Sequence, residues 1–504
     1  MSESTIDELV RHRAVSHGDK PMVIDQNHRV SFADLDASTR EIAAAFLSAG
    51  VSKGTRVGLI MPNGVRWVQT ALALTRIGAV LVPLSTLLAP RELVAQLRVS
   101  SVQYLVAVEE FRGHRYIDDL EAERRSPTSL PALRDVWTPD ELPRGAGDRV
   151  VDAVAATVTP ADTLVIMFTS GSSGPPKGVI HSHGNALRAV ASGLAARCID
   201  ADTRLYLPMP FFWVGGFGSG ILSALLAGAT LVTEEVPRPE TTLRLLERER
   251  VTLFRGWPDQ AEVLARQSDS VGADLSSLRP GSLEALLPPD QRSAPGARAK
   301  LFGMTEAFGP YCGYPADTDM PTSAWGSCGR PFDGTEVRIV DPDTGSPVPA
   351  GTIGVIQIRG PNTLRGICRR SREEVFTADG WYPTGDLGHL DDDGYMFYHG
   401  RSDDMFKVKG ATVYPTEVEQ ALRGIDGVRQ AFVTDVAGQV GAVVVGDGPA
   451  ERLRAAARKL LSSFKIPTVW LVAESDDVIP RGATGKVDTS ALRQLLTTHT
   501  EAER

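Results

Sequence analysis

Between Arg56 and Val108, short apolar runs alternate with longer stretches whose apolar positions recur every three or four residues. The pattern predicts a strand over Val57–Met61, a helix ending at Gly78, a second strand over Ala79–Pro83, a helix from Arg91 and a third strand over Tyr104–Val108. The same βαβαβ order returns between Arg204 and Arg255, and each copy opens its middle strand with Gly-Ala, in RIGAVLVPL and in LAGATLVTE. Two related layers, each a parallel sheet covered by helices, are the simplest architecture for such a repeat.

Beyond Gly329 the texture changes. Alternating runs at Glu336–Val340, Val355–Arg359 and Tyr395–His399, separated by DPDTG and DDDG turns, predict a small antiparallel unit. The charged, turn-prone stretch Gly400–Asp404 then leads into a small α/β domain. Its expected elements are a helix after Pro415, a strand near Phe432, a helix over Glu451–Ser463 and a strand over Val469–Val472. The expected fold class is therefore α/β, or α+β overall. A large N-terminal domain (residues 1–400) of two βαβ layers and a β-rich subdomain precedes a small C-terminal domain (residues 401–504).

Composition narrows the function. The 504 residues are 42% hydrophobic and 23% charged, an ordinary globular balance. The net charge, 53 − 62 = −9, comes without any basic run, which argues against a polynucleotide partner. The polar N-terminus lacks an apolar signal core, and the long apolar stretch Gly220–Val232 falls short of the ~20 residues that span a bilayer, so a cytoplasmic protein with no membrane span is expected. Cys198, Cys312, Cys328 and Cys368 show no CxxC pairing, so they read as buried thiols rather than zinc ligands or a disulfide framework. The 53 basic residues divide into 44 Arg and 9 Lys, which makes each lysine worth locating.

The most informative segment is IMFTSGSSGPPKG, Ile166–Gly178: an apolar strand running into a turn rich in glycine and hydroxyls and closed by Lys177. Successive backbone amides in such a turn form an anion-binding concavity. Thr169, Ser170, Ser172 and Ser173 add hydroxyl donors, and Gly171 and Gly174 supply flexible backbone, so the loop should hold phosphate. It is not a Walker loop, because Gly178 stands where that motif needs a hydroxyl.

This segment closely resembles the phosphate loop of the adenylate-forming superfamily, the group of acyl-CoA synthetases, luciferases and peptide-synthetase adenylation domains, and the resemblance runs in order along nearly the whole chain. GMTE (Gly303–Glu306) is similar to the motif in which a threonine, here Thr305, meets phosphate and a glutamate, here Glu306, holds Mg²⁺. YPTGD (Tyr382–Asp386) resembles the motif whose aspartate, Asp386, binds ribose. GRSDDMFKVKG (Gly400–Gly410) resembles the hinge, which implies Arg401 on the ribose, Asp403 as pivot, and Lys409 and Gly410 beside the channel of the thiol acceptor. PRGATGK (Pro480–Lys486) is similar to the C-terminal loop with the catalytic lysine, Lys486. The implied substrates and cofactors are ATP, Mg²⁺, coenzyme A and a small carboxylic acid.

The chemistry agrees with this resemblance. A carboxylate is ionised at neutral pH, so its attack on phosphorus needs no general base, and the obstacle is repulsion between anions. Cations and oriented donors should carry the catalysis. Five of the nine lysines (Lys177, Lys407, Lys409, Lys465 and Lys486) lie in or near these motifs, where a compact ammonium fits and a planar guanidinium does not.

Two stretches depart from the family pattern. Glu284 stands where a glycine of the adenine-binding turn is expected, and the helix after it looks shortened. In LPMPFFWVGGFG, Trp213 replaces a common histidine. With Phe211, Phe212 and Trp257 it gives an apolar wall for the acid, Gly215, Gly216 and Gly218 allow close approach of a ligand or helix, and Gly216 and Gly303 are counted in the acyl pocket. The expected function is an acid–thiol ligase acting on an apolar acid through an acyl-adenylate, with coenzyme A as acceptor. A carrier-protein phosphopantetheine is the alternative acceptor, and a non-catalytic acyl-binding protein is the alternative from another class. The oligomeric state is left open.

Overall fold

The computed structural model describes residues 5–123, 130–142, 147–169, 176–402, 404–408, 411–461, 465–481 and 487–502. The chain forms two compact units, Met1–Glu336 with Ile358–Trp381, and Val337–Gln357 with Tyr382–Arg504.

In the first unit both repeats form as read. Strand Arg56–Ile60 lies between Val80–Pro83 and Tyr104–Ala107, all parallel, with helices Val65–Arg76 and Pro90–Ser100 as crossovers. In the second copy Arg204–Tyr206 is likewise central, between Thr230–Val232 and Leu253–Phe254. Gly78 and Gly228, which open the middle strands, have φ of 71° and 75°, the left-handed backbone that ends a helix at least cost with glycine. The next amide returns to the helix in each copy, Ala79 N to Leu74 O at 3.1 Å and Ala229 N to Ala224 O at 2.9 Å.

The two sheets are also extended in the same way. Thr163–Thr169 runs parallel to the middle strand of the first copy and Pro21–Ile24 to that of the second. Each then takes an antiparallel neighbour, Lys177–Ser182 in the first sheet and Arg29–Ser31 in the second. One continuous core joins Leu59, Leu81 and Val165 of the seven-stranded sheet to Val23, Leu205 and Leu231 of the five-stranded one. At the end of helix Val65–Arg76 a fully buried guanidinium, Arg76, is neutralised by Asp7 at 2.6 Å and Asp36 at 2.8 Å, which ties three helices together.

The apolar stretch Gly220–Val232 is a buried helical segment followed by a strand, and no helix of the described residues is long and apolar enough to cross a membrane. The segment around Glu284 holds two single 3₁₀ turns, Glu284–Leu286 and Pro289–Gln291. Glu284 accepts the Ser293 amide at 2.9 Å, so its side chain closes this short segment. Cys312, Cys328 and Cys368 are buried and Cys198 is half-buried, all as free thiols.

The second unit contains a four-stranded sheet in the order Glu336–Val340, Gly354–Arg359, Tyr382–Leu390, Met396–Arg401. A two-stranded ribbon, Phe406–Val408 with Ala411–Val413, and a three-stranded sheet of Val428–Val436, Gln439–Gly446 and Val469–Ala473 follow. Helices Pro415–Arg423, Ala450–Leu460 and Thr489–Ala502 accompany them. The compact units divide at Glu336, Gln357 and Trp381, and within the second of them helix Pro415–Arg423 packs on strand Met396–Arg401.

Candidate active site

In the first unit the phosphate motif is built on an antiparallel pair of strands. Thr163–Thr169 and Lys177–Ser182 place Thr169 directly opposite Lys177, Met167 opposite Val179 and Val165 opposite His181. Side chains alternate along a strand, so Lys177, Val179 and His181 share one face. Thr169 and Lys177 are both half-buried at the mouth of the loop. Ser170, Gly171, Ser172, Ser173 and Gly174 lie outside the described residues.

The Thr-Glu motif is a single 3₁₀ turn, Thr305–Ala307, after strand Phe302–Met304. Glu306 is only 7% exposed, and its carbonyl accepts the Leu364 amide at 2.8 Å. The Thr305 carbonyl accepts twice, from the Phe308 amide at 3.0 Å and from His181 Nε2 at 2.8 Å. Phe308 then takes φ of 54°, an unusual conformation for a bulky residue. Its buried ring meets His181 edge-on at 4.8 Å and Phe217 at 6.2 Å. His181 is itself fully buried, and burial pushes its pKa down to about 3. The sequence pattern did not single out His181, although a histidine four residues after Lys177, on the same face of the strand, was a usable signal.

In the second unit the two residues expected at the ribose are cross-strand partners. Asp386 is opposite Arg401, and Arg401 Nη1 lies 3.2 Å from Asp386 Oδ1 and 2.9 Å from the Thr384 carbonyl. Thr384 Oγ1 accepts the Asp386 amide at 3.0 Å and donates to Ile356 O at 2.8 Å. Lys465 grips both carboxylate oxygens of Glu417, at 2.5 and 2.7 Å, so its ammonium serves a local ion pair. Asp403, Lys409, Gly410 and Lys486 lie outside the described residues.

The expected acyl wall divides into two sets. Phe212, Trp213 and Trp257 form a chain of perpendicular rings, with centroids 5.8 and 6.2 Å apart, and Trp257 remains 38% exposed. Phe211 instead lies in the core, fully buried and edge-on to Trp67 at 5.4 Å, because successive residues of FFW point to different sides. Gly216 admits the Pro210 carbonyl, which would stand 2.1 Å from a Cβ there, and Gly303 likewise admits Gly309 O at 2.2 Å. Both glycines are thus explained by close approach of the chain to itself.

Residues 10–368 match the family described as AMP-binding enzyme. The chain belongs to that family. It is 34% identical to a methyl-dioxo-octahydroindenyl-propanoyl:CoA ligase of Mycobacterium tuberculosis, over 98% of each chain. It is 32% identical to a feruloyl-CoA synthase of an Amycolatopsis species, over 92% of this chain and 94% of the other. An anthranilate CoA ligase solved in complex with anthranoyl-AMP shares the fold, with a TM-score of 0.81, 23% identity and coverage of 99% and 98%. The protein is an adenylate-forming enzyme of the acyl-CoA ligase type, and its substrates are a carboxylic acid, ATP and coenzyme A.

Proposed function

We propose that this enzyme activates a bulky, ring-bearing, largely apolar carboxylic acid as its acyl-adenylate and passes the acyl group to coenzyme A. The observation that carries the adenylation half is the shared strand face: Lys177 at the phosphate loop and His181 on the Thr305 turn stand on one side of one strand. The perpendicular set Phe212, Trp213 and Trp257 supports the apolar, ring-bearing acid. The relatives named for feruloyl, 3-hydroxybenzoate and indoleacetate substrates point the same way.

The substrate carboxylate attacks the α-phosphorus in line as pyrophosphate leaves, and the enzyme's task is to hold negative charges together. Thr169, Lys177 and the loop from Ser170 to Gly174 cradle the phosphates, and Thr305 donates its hydroxyl to them. Glu306, a buried carboxylate in a one-turn 3₁₀ segment, fits the hard oxygen ligand that Mg²⁺ prefers and would hold that ion. That ion would supply charge neutralisation on the leaving pyrophosphate. Asp386 and Arg401 hold the ribose, and Lys486 brings a point charge to the reacting oxygens. Asp403 then acts as the pivot on which the residues beyond it turn, and Lys409 and Gly410 flank the incoming thiol.

ATP–pyrophosphate exchange across a panel of ring-bearing, linear and amino acids tests this reading, with thioester formation then compared between coenzyme A and a phosphopantetheinylated carrier protein. Exchange confined to ring-bearing apolar acids, with coenzyme A as acceptor, is expected. Preference for an amino acid, or thioester on the carrier protein alone, would overturn it.

A further inference from the structure

The Thr305–Ala307 turn cannot hold its shape by local bonds alone. It is one turn long, it ends on Phe308 in left-handed backbone at φ 54°, and it closes on the bond from Phe308 N to Thr305 O. Strained turns at functional sites persist when their surroundings over-determine them. Here the constraint comes from two directions: Leu364 N binds the Glu306 carbonyl, and His181 Nε2 binds the second lone pair of the Thr305 carbonyl.

His181 is built for that task. Its Nδ1 lies 2.7 Å from Asn185 Nδ2, which can only donate, so Nδ1 is the acceptor and the proton sits on Nε2, aimed at Thr305. Asn185 is fixed in turn, because its Oδ1 accepts the Ser182 amide at 2.6 Å at the start of helix His183–Ser192 and its Nδ2 also reaches Asn362 O at 3.4 Å. The imidazole is buried, and it remains neutral over the whole physiological range.

We propose that His181 is the positioning residue that locks the Thr305–Glu306 turn in register with the phosphate-loop hairpin, so that the metal-holding carboxylate and the phosphate cradle form one rigid unit. This inference rests on the proposed adenylation site. His181 touches no substrate and acts through the main chain of Thr305.

Three substitutions separate the possibilities. His181→Gln keeps one donor and one acceptor and has the length to reach the Thr305 carbonyl. His181→Asn, one methylene shorter, can satisfy Asn185 but not Thr305. His181→Phe keeps the ring against Phe308 and loses both bonds. Acid-dependent ATP–pyrophosphate exchange is measured against Mg²⁺ concentration, with melting temperature recorded for each variant. Glu306→Gln is the control for the underlying site. Gln should stay within about threefold of wild type, while Asn and Phe should raise the Mg²⁺ needed for half-maximal rate by about fivefold or more and lower kcat by about 10 to 10². A merely structural histidine would lower the melting temperature and the active fraction but leave the Mg²⁺ requirement where it was. Gln and Asn behaving alike, or unchanged Mg²⁺ half-saturation in Asn and Phe while Glu306→Gln shifts it, would overturn the role of His181. If Phe does not fold, the Gln and Asn pair still decides. No exchange with any acid, or no metal effect of Glu306→Gln, would instead sink the site assignment itself.

Discussion

Arg401 Nη1 stands 3.2 Å from Asp386 Oδ1, the two residues directly opposite each other on neighbouring antiparallel strands. The contact depends on the residue between Thr384 and Asp386. Gly385 has φ of 74°, and a Cβ there would fall 2.7 Å from Arg401 Nη2. The aspartate and the arginine are therefore presented together by a backbone shape that only glycine takes at little cost.

Asp386→Ala should raise the KM for ATP by about 10 to 10², the equivalent of one or two charge-assisted hydrogen bonds of about 1.5–3 kcal/mol each. Gly385→Ala should act in the same direction by displacing the guanidinium. With an ATP analogue lacking both ribose hydroxyls, the Asp386→Ala loss should shrink to about threefold or less. An equal loss with both nucleotides would remove Asp386 from the ribose.

Trp213→Ala opens space beside Trp257 and Phe212, so bulkier acids should gain on the preferred one, by about 10-fold in relative kcat/KM. An unchanged ranking of acids would make Trp213 a core residue like Phe211.

Arg76→Leu should cost about 3–5 kcal/mol, because it removes the buried guanidinium that joins Asp7 to Asp36 and leaves them only the more exposed Arg11 and Arg40. Urea unfolding measures this directly. A loss below about 1 kcal/mol would mean that Arg11, which also pairs with Asp7 at 2.7 Å, suffices.

Much of the first unit was legible because its information is local. Gly78-Ala79 and Gly228-Ala229 mark the helix ends and middle strands of both repeats, and the structure places them alike. The pairing of Val23 with Leu231 was not legible, since nothing in PMVI names a partner some two hundred residues away. Strand Tyr382–Leu390 is hidden in the sequence, because Pro383 and Gly385 interrupt the alternation that marks β structure. The same limit explains Phe211 and His181. Adjacent aromatic residues do not announce which of them turns into the core, and the spacing of His181 from Lys177 marks the residue without naming the carbonyl 124 residues later that takes its proton.

Stability should fall with acid below neutrality. Burial pushes the pKa of His181 down to about 3 and that of His183 to about 4, whereas an unfolded histidine titrates near 6.5. Between those values the unfolded chain binds more protons than the folded one, so the stabilising contribution is complete above about pH 6.5 and is lost as the pH falls toward the folded values. Each buried imidazole should contribute a slope of up to about 1.4 kcal/mol per pH unit. Urea unfolding at pH 7, 6 and 5 should show this decline, and His183→Gln should make it shallower. A flat profile would contradict the buried, neutral state of these rings.

The most direct test of the account follows a single turnover with enzyme in excess over ATP, quenched with and without coenzyme A. An apolar ring-bearing acid should yield acyl-adenylate and pyrophosphate in equal amounts without the thiol. On adding coenzyme A, the adenylate should convert to thioester with release of one AMP. Lys486→Ala should slow the first phase by about 10² to 10³ and leave thioester formation from supplied adenylate largely intact. Formation of ADP, release of AMP without an adenylate stage, or equal loss of both half-reactions in Lys486→Ala would contradict the account.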